Sequence, residues 1–336
     1  MTKAVATLLF LAVAFGVAAE QPRAVNRYGQ FIRERDGKWE PDEYQRDIAP
    51  FNSRPDTIPG FLEPYKNSFK LLTSADRVAP KTTEFVYKTY PNGREVRLAV
   101  DRAEHQTGPL PFILWVHGGG WKIGSYNENR HISNFLASRG YVVVRANYTL
   151  SEQGTVEDAI QDLRDAAAFV KARADEFEVD TSRFGVMGAS AGGHLSSLVA
   201  MTTPGVKTLV SFCGPHDLLP YFRFSGERAM EIRGWFHYFG IEEFGDMSGA
   251  ERYSPINNIP SGDRIPAVML IHGTYDVSVP YEQSVRFAER LQERGAHNVE
   301  LISLEYTPHF CVSPNIAAHE DYMLRIAAFL EQHLVR

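Results

Sequence analysis

Short, uninterrupted apolar segments recur through the middle of the chain. LPFILWVH at 110–117 and YVVVRANY at 141–148 are apolar on both faces and shorter than a typical helix. Such segments are typical of strands buried on both sides of a sheet. Four later segments have the same character: RFGVMG, GVKTLVSFCG, IPAVMLIHG and VELISLEY. Segments with helical spacing separate them, at 158–177, 191–202, 280–294 and 315–335. This alternation predicts an α/β protein with a mostly parallel, doubly wound sheet.

The first regular segments predict an antiparallel pair. TEFVYKTY and EVRLAVDR flank Pro91, Asn92 and Gly93, and Asn-Gly between two strands is a strong hairpin signal. We expect this hairpin to form an antiparallel edge of the sheet.

Between residues 214 and 262 the alternation breaks, and the sequence becomes rich in aromatic residues. The segment follows the end of a predicted strand, where open α/β sheets bind ligands. It is either a small cap over a site or a satellite core that covers the sheet edge. Phe222 and Trp235 in this segment are candidate substrate-binding residues, together with Trp121 earlier in the chain.

The first residues have the three-part layout of a secretory signal peptide, with Lys3, an apolar run and small residues up to Ala19. A membrane anchor is the alternative, but the run is shorter than the ~20 residues that span a bilayer. We predict a signal peptide at 1–19, an arm with little periodicity or a few short helices at 20–80, and a catalytic domain at 81–336. A secreted or periplasmic location without a stable membrane anchor follows.

Composition narrows the class of protein. The 336 residues are 44% hydrophobic and 23% charged, which is typical of a globular protein, and the net charge of −6 argues against a nucleic-acid partner. No H-E-x-x-H or paired C-x-x-C motif predicts a metal site, and no glycine motif predicts a dinucleotide, so we expect no cofactor. The two cysteines, Cys213 and Cys311, form either a disulfide or two buried thiols.

Ser190 lies in GASAG, between a predicted strand and a predicted helix. This context favours a nucleophile on a sharp turn, which needs small residues two positions before and two after the serine. The start of the helix would also place unpaired N–H groups beside the serine.

HGGGW at 117–121 follows a buried strand. Consecutive glycines let backbone N–H groups point at a developing oxyanion, so this loop is a candidate oxyanion hole. His117 itself is expected to brace the loop rather than act as a base.

A serine nucleophile needs a base and a carboxylate that orients the base. Asp276 and His309 each follow a predicted strand, in the chain order Ser, Asp, His. Asp217 and His319 are the weaker alternatives, because Asp217 is better placed to cap a turn and His319 falls within the last helix. His194 and His272 are expected to be structural.

Together, HGGGW, GASAGGHL, HGTYDVSVPYEQS and the late histidine resemble the α/β-hydrolase superfamily. The closest likeness is to serine esterases of the hormone-sensitive-lipase and feruloyl or acetyl-xylan-esterase types. The resemblance implies an eight-stranded sheet, Ser190 as nucleophile, Asp276 as orienting carboxylate and His309 as base. It implies an oxyanion hole formed by the N–H groups of Gly119, Gly120 and Ala191.

Two segments depart from the pattern of many relatives. NYTLSE lacks an arginine after the tyrosine and a proline soon after, and TPHFC lacks the glycine often found before the base. Both departures leave the proposed triad intact and affect the shape of the acyl pocket.

The expected activity is that of an exported serine carboxylesterase acting through an acyl-enzyme. Its substrates would be small-molecule or oligosaccharide esters with short or aromatic acyl groups, for example acetyl or feruloyl groups on plant cell-wall carbohydrate. Hydrolysis of an amide or formamide by the same triad is the alternative, and a catalytically silent binding protein is a third possibility. The sequence leaves the oligomeric state open.

Overall fold

The computed structural model describes residues 80–224, 233–242, 246–309, 312 and 319–335, and the backbone of three short strands near the N-terminus. The predicted signal peptide, most of the arm at 20–80 and Cys311 lie outside the described residues. The described part of the arm consists of β1 (Ala24–Val25), β2 (Phe31–Arg35) and β3 (Lys38–Pro41), which form an antiparallel sheet. The choice between an irregular arm and a few short helices stays a prediction for the rest of this segment.

The main sheet has eight strands and confirms the predicted fold class. In chain order they are β4 (Lys81–Thr89), β5 (Glu95–Arg102), β6 (Leu110–Val116), β7 (Val142–Ala146), β8 (Val179–Ala189), β9 (Val206–Phe212), β10 (Ala267–Gly273) and β11 (Val299–Leu304). Their order across the sheet is β11-β10-β9-β8-β6-β7-β5-β4. Strands β6 to β11 are mutually parallel, whereas β5 is antiparallel to both β4 and β7. The hairpin at Gly93, whose φ is +84°, joins β4 to β5 as predicted.

Helices cover both faces of the sheet. They are α1 (Arg130–Ser138), α2 (Val156–Ala172), α3 (Ala174–Phe177), α4 (Ala191–Thr202), α5 (Leu218–Phe224), α6 (Arg233–Tyr238), α7 (Ser248–Arg252), α8 (Glu282–Glu293) and α9 (His319–Leu330). Short 3-10 turns lie at Pro255–Asn257 and Gly262–Arg264, and a π-turn at Glu331–Val335 follows α9. None of the helices that the structure describes is long and apolar enough to cross a bilayer.

The helices that precede β8 in the chain differ from the sequence-based expectation. The segment predicted as one helix at 158–177 divides into α2 and α3, and α2 begins two residues earlier because Thr155 and Asp158 form a capping box. Helix α1 was not predicted. Its N-cap, Asn129, is left-handed and makes no side-chain capping bond, so no capping pattern marks its start.

The sheet separates two apolar layers, as the strand pattern requires. Leu114, Val144 and Val186 lie on one face of the sheet with α2 and α4. Their sequence neighbours Ile113, Val143 and Met187 lie on the other face with α1 and α9. Because successive strand residues point to opposite faces, strands that are covered on both sides must be apolar throughout.

A buried ion pair connects the antiparallel edge to the parallel strands. Arg145 in β7 donates from Nε to Asp101 Oδ2 at 2.5 Å and from Nη2 to Oδ1 at 3.0 Å, and both side chains are 1% exposed. The hydroxyl groups of Thr82 and Ser133 also donate to Asp101, and Arg145 Nη1 donates to the carbonyl oxygen of Tyr126. The pair therefore holds β5, β7, α1 and the loop after β6 in one arrangement.

We expect Asp101→Asn to lower the free energy of unfolding at pH 7 by about 3–5 kcal/mol, because it leaves the Arg145 charge buried and unpaired. The double variant Asp101→Asn/Arg145→Met should lose less, since it removes both charges. Urea unfolding measures both values. Equal losses in the single and double variants would contradict the prediction.

The free energy of unfolding that the Asp101–Arg145 pair contributes should depend on pH. Burial would raise the pKa of Asp101, but the hydrogen bonds and charge of Arg145 lower it below the usual aspartate value. The stabilisation is therefore complete above the pKa of an unfolded aspartate and disappears as the pH falls through the lower folded-state pKa.

Candidate active site

Ser190 occupies a strained turn between β8 and α4. Its φ is +55° and its ψ is −120°, a backbone conformation that non-glycine residues rarely adopt. Its N–H donates to the carbonyl oxygen of Phe212 at 2.8 Å, and its own carbonyl accepts from His194 N at 3.0 Å. These bonds fix the turn from both sides, and Ser190 lines a cavity next to the end of β8.

The turn exists only because its flanking residues lack side chains. A Cβ on Gly188 would lie 2.3 Å from the carbonyl oxygen of Gly192, and a Cβ on Gly192 would lie 2.2 Å from that of Val116. Real Cβ atoms do not approach backbone oxygens so closely, and backbone cannot be repacked. The sequence-based expectation of small residues two positions before and after Ser190 therefore has a direct steric cause.

The structure brings the three predicted triad residues together. His309 Nε2 lies 2.9 Å from Ser190 Oγ, and His309 Nδ1 lies 2.6 Å from Asp276 Oδ2. The other carboxylate oxygen, Oδ1, accepts the N–H groups of Ser278 and Val279, both at 2.9 Å. Asp276 is fully buried, so its charge acts on the imidazole without competition from water.

These contacts shift the pKa values of both partners. Burial would raise the pKa of Asp276, but the charge of His309 and hydrogen bonds from His272 and His309 hold it well below its usual range. Burial would lower the pKa of His309, but the charge of Asp276 and the neighbouring Cys213 side chain raise it well above the ordinary histidine value of 6.5. The aspartate therefore stays ionised, and the histidine is a stronger base than a free imidazole.

The glycine loop lies directly beside Ser190. Gly119 and Gly120 have φ values of +107° and +60°, and the turn closes through Lys122 N and Ile123 N, both 3.1 Å from the Gly119 carbonyl oxygen. A Cβ on Gly119 would lie 2.1 Å from the Ile123 carbonyl oxygen. Gly119 and Gly120 line the same cavity as Ser190. Ala191 is the first residue of α4, whose first N–H groups have no partner within the helix.

The segment after β7 braces this loop along its length. Asn147 Oδ1 accepts Tyr126 N at 2.7 Å, Tyr148 Oη donates to the His117 carbonyl at 3.2 Å, and Ser151 N donates to the Trp121 carbonyl at 2.8 Å. The NYTLSE segment, which departs from the pattern of many relatives, thus still supports the glycine loop.

His117 braces the loop as predicted. Its Nδ1 donates to the Gly118 carbonyl at 2.8 Å, and its ring stacks on Tyr148 with centroids 4.3 Å apart. Burial lowers the pKa of His117 to about 4, so the imidazole is neutral at pH 7.

A cavity of about 550 Å³ opens over the triad. Its walls come from the glycine loop, the start of α1, the insertion at 214–262 and the loops that carry Asp276 and His309. The described lining residues are Gly118, Gly119, Gly120, Glu128, Asn129, Ala189, Ser190, Cys213, Tyr221, Trp235, Ser278, Val279, His309 and Val312. Because Tyr221 and Trp235 belong to the insertion, the insertion caps the site rather than covering only the sheet edge.

Of the three predicted substrate-binding residues, only Trp235 lines the cavity. Trp121 and Phe222 are at most 1% exposed and pack behind it, with the Trp121 ring 5.1 Å and the Phe222 ring 6.3 Å from that of Trp235. The prediction of direct contact is therefore wrong for these two residues. Trp121 Nε1 instead donates to His194 Nδ1 in α4 at 3.2 Å. Because the Trp121 ring also packs against Phe222 and Trp235, this bond connects the cap to α4.

Of the two alternative triad residues, the structure describes the side chain of Asp217. Asp217 forms an ion pair with Arg286 at 2.8 Å and accepts no bond from His309, and the side chain of His319 lies outside the described residues. His194 is structural as predicted, because its Nε2 donates to the Tyr253 carbonyl at 2.8 Å.

Two residues near the triad were not recognised in the sequence. Cys213 has a φ of +40°, lines the cavity and donates from Sγ to the His309 carbonyl at 3.4 Å. His272, expected to be structural only, contacts Asp276 Oδ2 at 3.2 Å. His272 stands four residues before Asp276 at the end of the same strand, a proximity that could have drawn attention to it.

This fold and this arrangement of serine, histidine and aspartate define the chain as an α/β-hydrolase. A profile of the BD-FAE family matches residues 98–291, and the chain belongs to that family. The resemblance that the motifs indicated is thereby confirmed.

Individual relatives carry esterase names. The chain is 30% identical over 219 residues to LipM of Mycobacterium tuberculosis, named a probable carboxylic ester hydrolase, which covers 60% of this chain and 50% of LipM. It is 28% identical over 221 residues to ICMEL1 of Arabidopsis thaliana, named a probable isoprenylcysteine alpha-carbonyl methylesterase. That match covers 60% of this chain and 45% of ICMEL1. The chain thus spans about half the length of the curated relatives it matches.

Solved structures show the same fold. Esterase 2 of Thermogutta terrifontis superposes with a TM-score of 0.62 at 22% identity, covering 76% of this chain and 95% of that one. A truncated carbohydrate esterase from gut microbiota gives a TM-score of 0.61 at 21% identity, covering 77% and 98%.

We expect ester hydrolysis to require neutral His309, so that kcat/KM rises with pH around a midpoint above 6.5. Asp276→Asn should lower that midpoint, because it removes the charge that raises the pKa of His309. It should also reduce kcat on the order of 10⁴-fold, because an asparagine favours the wrong imidazole tautomer. Asp217→Asn is the matched control and should leave the midpoint in place. A midpoint that is unchanged in Asp276→Asn would contradict the assignment.

Proposed function

We propose that the protein is a serine carboxylic ester hydrolase that acts through an acyl-enzyme on Ser190. The observation that carries the proposal is the continuous chain of contacts from Ser190 Oγ through His309 to the buried Asp276, at 2.9 and 2.6 Å. This chain lies beside the glycine loop and opens into one cavity. The names of the relatives support ester rather than other acyl chemistry.

In the acylation step, His309 Nε2 takes the Ser190 hydroxyl proton while Oγ attacks the ester carbonyl carbon. The carbonyl oxygen becomes an oxyanion, which the N–H groups of Gly119, Gly120 and Ala191 would stabilise. Each such donor is worth ~2.7–4 kcal/mol in a transition state. His309 then gives its proton to the alcohol oxygen as the carbon–oxygen bond breaks, and the alcohol leaves.

In the deacylation step, water takes the place of the alcohol. His309 removes a proton from the water, the resulting hydroxide attacks the acyl carbon, and the acid leaves as Ser190 regains its proton from His309. Asp276 remains ionised throughout and stabilises the imidazolium that forms in each half of the reaction.

The cavity supports a short or aromatic acyl group. The Trp235 indole is so close to the glycine loop that a Cβ on Gly120 would lie 3.2 Å from its Cζ2. The ring therefore limits the space next to the proposed oxyanion site. Polar residues at the start of α1, Glu128 and Asn129, line another part of the wall and suit a hydroxyl-rich alcohol.

We extend the proposal to acetyl or feruloyl esters of plant cell-wall carbohydrate and to a secreted or periplasmic location. The motif likeness to feruloyl and acetyl-xylan esterases supports this substrate class, and one structural neighbour is named a carbohydrate esterase. The leader at 1–19 supports export. A mature protein whose N-terminal sequence begins at Glu20, recovered from the periplasm or medium, would agree with export, whereas an intact leader in the cytoplasm would contradict it.

Purified protein should hydrolyse p-nitrophenyl acetate faster than the octanoate, and acetylated xylan or methyl ferulate should also be substrates. Ser190→Ala should abolish turnover, because it removes the hydroxyl that lies 2.9 Å from His309 Nε2 and attacks the ester carbon. Product release measured by absorbance and chromatography tests both statements. Full turnover by Ser190→Ala would contradict the mechanism, and faster hydrolysis of a matched arylformamide would favour the amide alternative.

Trp235→Ala should shift the preference toward longer acyl chains. Removing the indole opens the wall beside Gly120, and one methylene more or less in an apolar pocket changes kcat/KM by roughly 10-fold or more. We expect the octanoate-to-acetate ratio of kcat/KM to rise by at least that factor in Trp235→Ala. The ratio of Trp235→Phe should lie between those of Trp235→Ala and the wild type. An unchanged ratio in a folded Trp235→Ala protein would mean that the acyl group lies elsewhere.

A further inference from the structure

A second histidine lies on the far side of the triad aspartate. His272 is the penultimate residue of β10 and is fully buried. Its Nε2 lies 3.2 Å from Asp276 Oδ2 and 2.9 Å from the Val279 carbonyl oxygen, and its Nδ1 lies 2.7 Å from Ser284 Oγ in α8. The ring therefore spans the strand, the loop that carries Asp276 and the helix that follows it.

The two partners of Nε2 determine where the proton resides. A carbonyl oxygen and an ionised carboxylate are both acceptors, so Nε2 must carry a hydrogen. That N–H is shared between Asp276 Oδ2 and Val279 O. Ser284 Oγ–H can donate to Nδ1, so both ring nitrogens have hydrogen-bond partners.

With His272 included, the hydrogen bonds to the Asp276 carboxylate are complete. Oδ1 accepts two backbone N–H groups, from Ser278 and Val279, and Oδ2 accepts from His309 and His272. A carboxylate has about four acceptor positions, so each is occupied. Rotation of the carboxylate would break bonds on both oxygens at once, and Oδ2 stays directed at His309 Nδ1.

We propose that His272 is a positioning residue for ester hydrolysis, which acts by fixing the Asp276 carboxylate against His309. This inference rests on the proposed function of the triad. His272 is not itself one of the described lining residues of the cavity. It bonds Asp276 Oδ2 and the carbonyl oxygen of Val279, so Asp276 is the triad residue through which it acts. The same N–H closes the turn from Asp276 to Val279 and thus ties the carboxylate to the backbone that carries it.

Other ionisable groups near His272 do not replace its contact with Asp276. Glu282, at the start of α8, and His216 both interact with it electrostatically, and Tyr281 packs edge-on with ring centroids 5.8 Å apart. Among the described side chains, His272 and His309 are the two that hydrogen-bond to the Asp276 carboxylate.

Two matched substitutions separate positioning from simple structural support. His272→Gln can place an amide N–H near the position of Nε2 and so keep the donor to Asp276. His272→Asn reaches only the position of Nδ1, so it keeps a polar partner for Ser284 but loses that donor. We expect kcat on p-nitrophenyl acetate to fall roughly 10–100-fold in His272→Asn, by analogy with the loss of a group that orients a metal ligand, and only a few-fold in His272→Gln. KM should stay near the wild-type value in both, because Asp276 acts in the chemical steps.

His216→Gln is the control for structural damage. His216 is equally buried, stacks on Phe287 at 4.3 Å and contacts Ser211 Oγ at 3.1 Å, but not Asp276. This variant should lower Tm while leaving kcat within a few-fold of the wild type. The far-downfield proton resonance of the His309–Asp276 hydrogen bond should shift or broaden in His272→Asn and remain in His216→Gln.

Three results would overturn the proposal: an unchanged kcat in folded His272→Asn, an equal loss in the Gln and Asn variants, or an unaltered downfield resonance. Failure of the proposed function would look different. In that case the wild type would lack ester turnover and Ser190 would not react with a fluorophosphonate, whatever residue stands at 272.

Discussion

The contact between Gly192 and the end of β6 determines the geometry of the whole site. Gly192 has no side chain, so α4 can begin against the carbonyl oxygens of Val116 and His117, which a Cβ would approach to 2.2 and 2.4 Å. The nucleophile at the start of α4 is thereby fixed next to the loop that leaves β6. The register between β6 and β8 and this backbone contact together place the proposed oxyanion donors of that loop beside the serine.

The other half of the site depends on strand ends that are distant in sequence. Asp276 follows β10 and His309 follows β11, and these neighbouring parallel strands end at the same edge of the sheet. Buried polar contacts connect the segments on both sides of this edge. The Arg145–Asp101 ion pair and the Tyr148 hydrogen bond lie on the side of the glycine loop, and the His272 hydrogen bond lies on the side of the aspartate. The strained serine turn is thus surrounded by groups whose positions are determined several times over, as stored strain requires.

The order of the strands, the serine turn and the triad residues could be predicted from the sequence because they depend on local patterns. Doubly buried strands must be apolar, the serine turn must be flanked by small residues, and the triad follows a fixed chain order. The missed features depend on packing between distant segments. Burial of Trp121 and Phe222 results from how the cap folds onto α4, the contact of His272 depends on a turn that returns to its own strand, and α1 starts without a capping pattern.

The two kinds of contact around the site differ in how freely they can change over evolutionary time. At Gly188 and Gly192 backbone meets backbone, and every substitution of glycine adds an atom for which no compensating change exists. Around Trp235 ring meets ring, so replacements there can be accommodated by exchanging neighbouring side chains in concert. Substitutions around Trp235 can therefore alter which molecules enter the cavity without disturbing the turn beneath it.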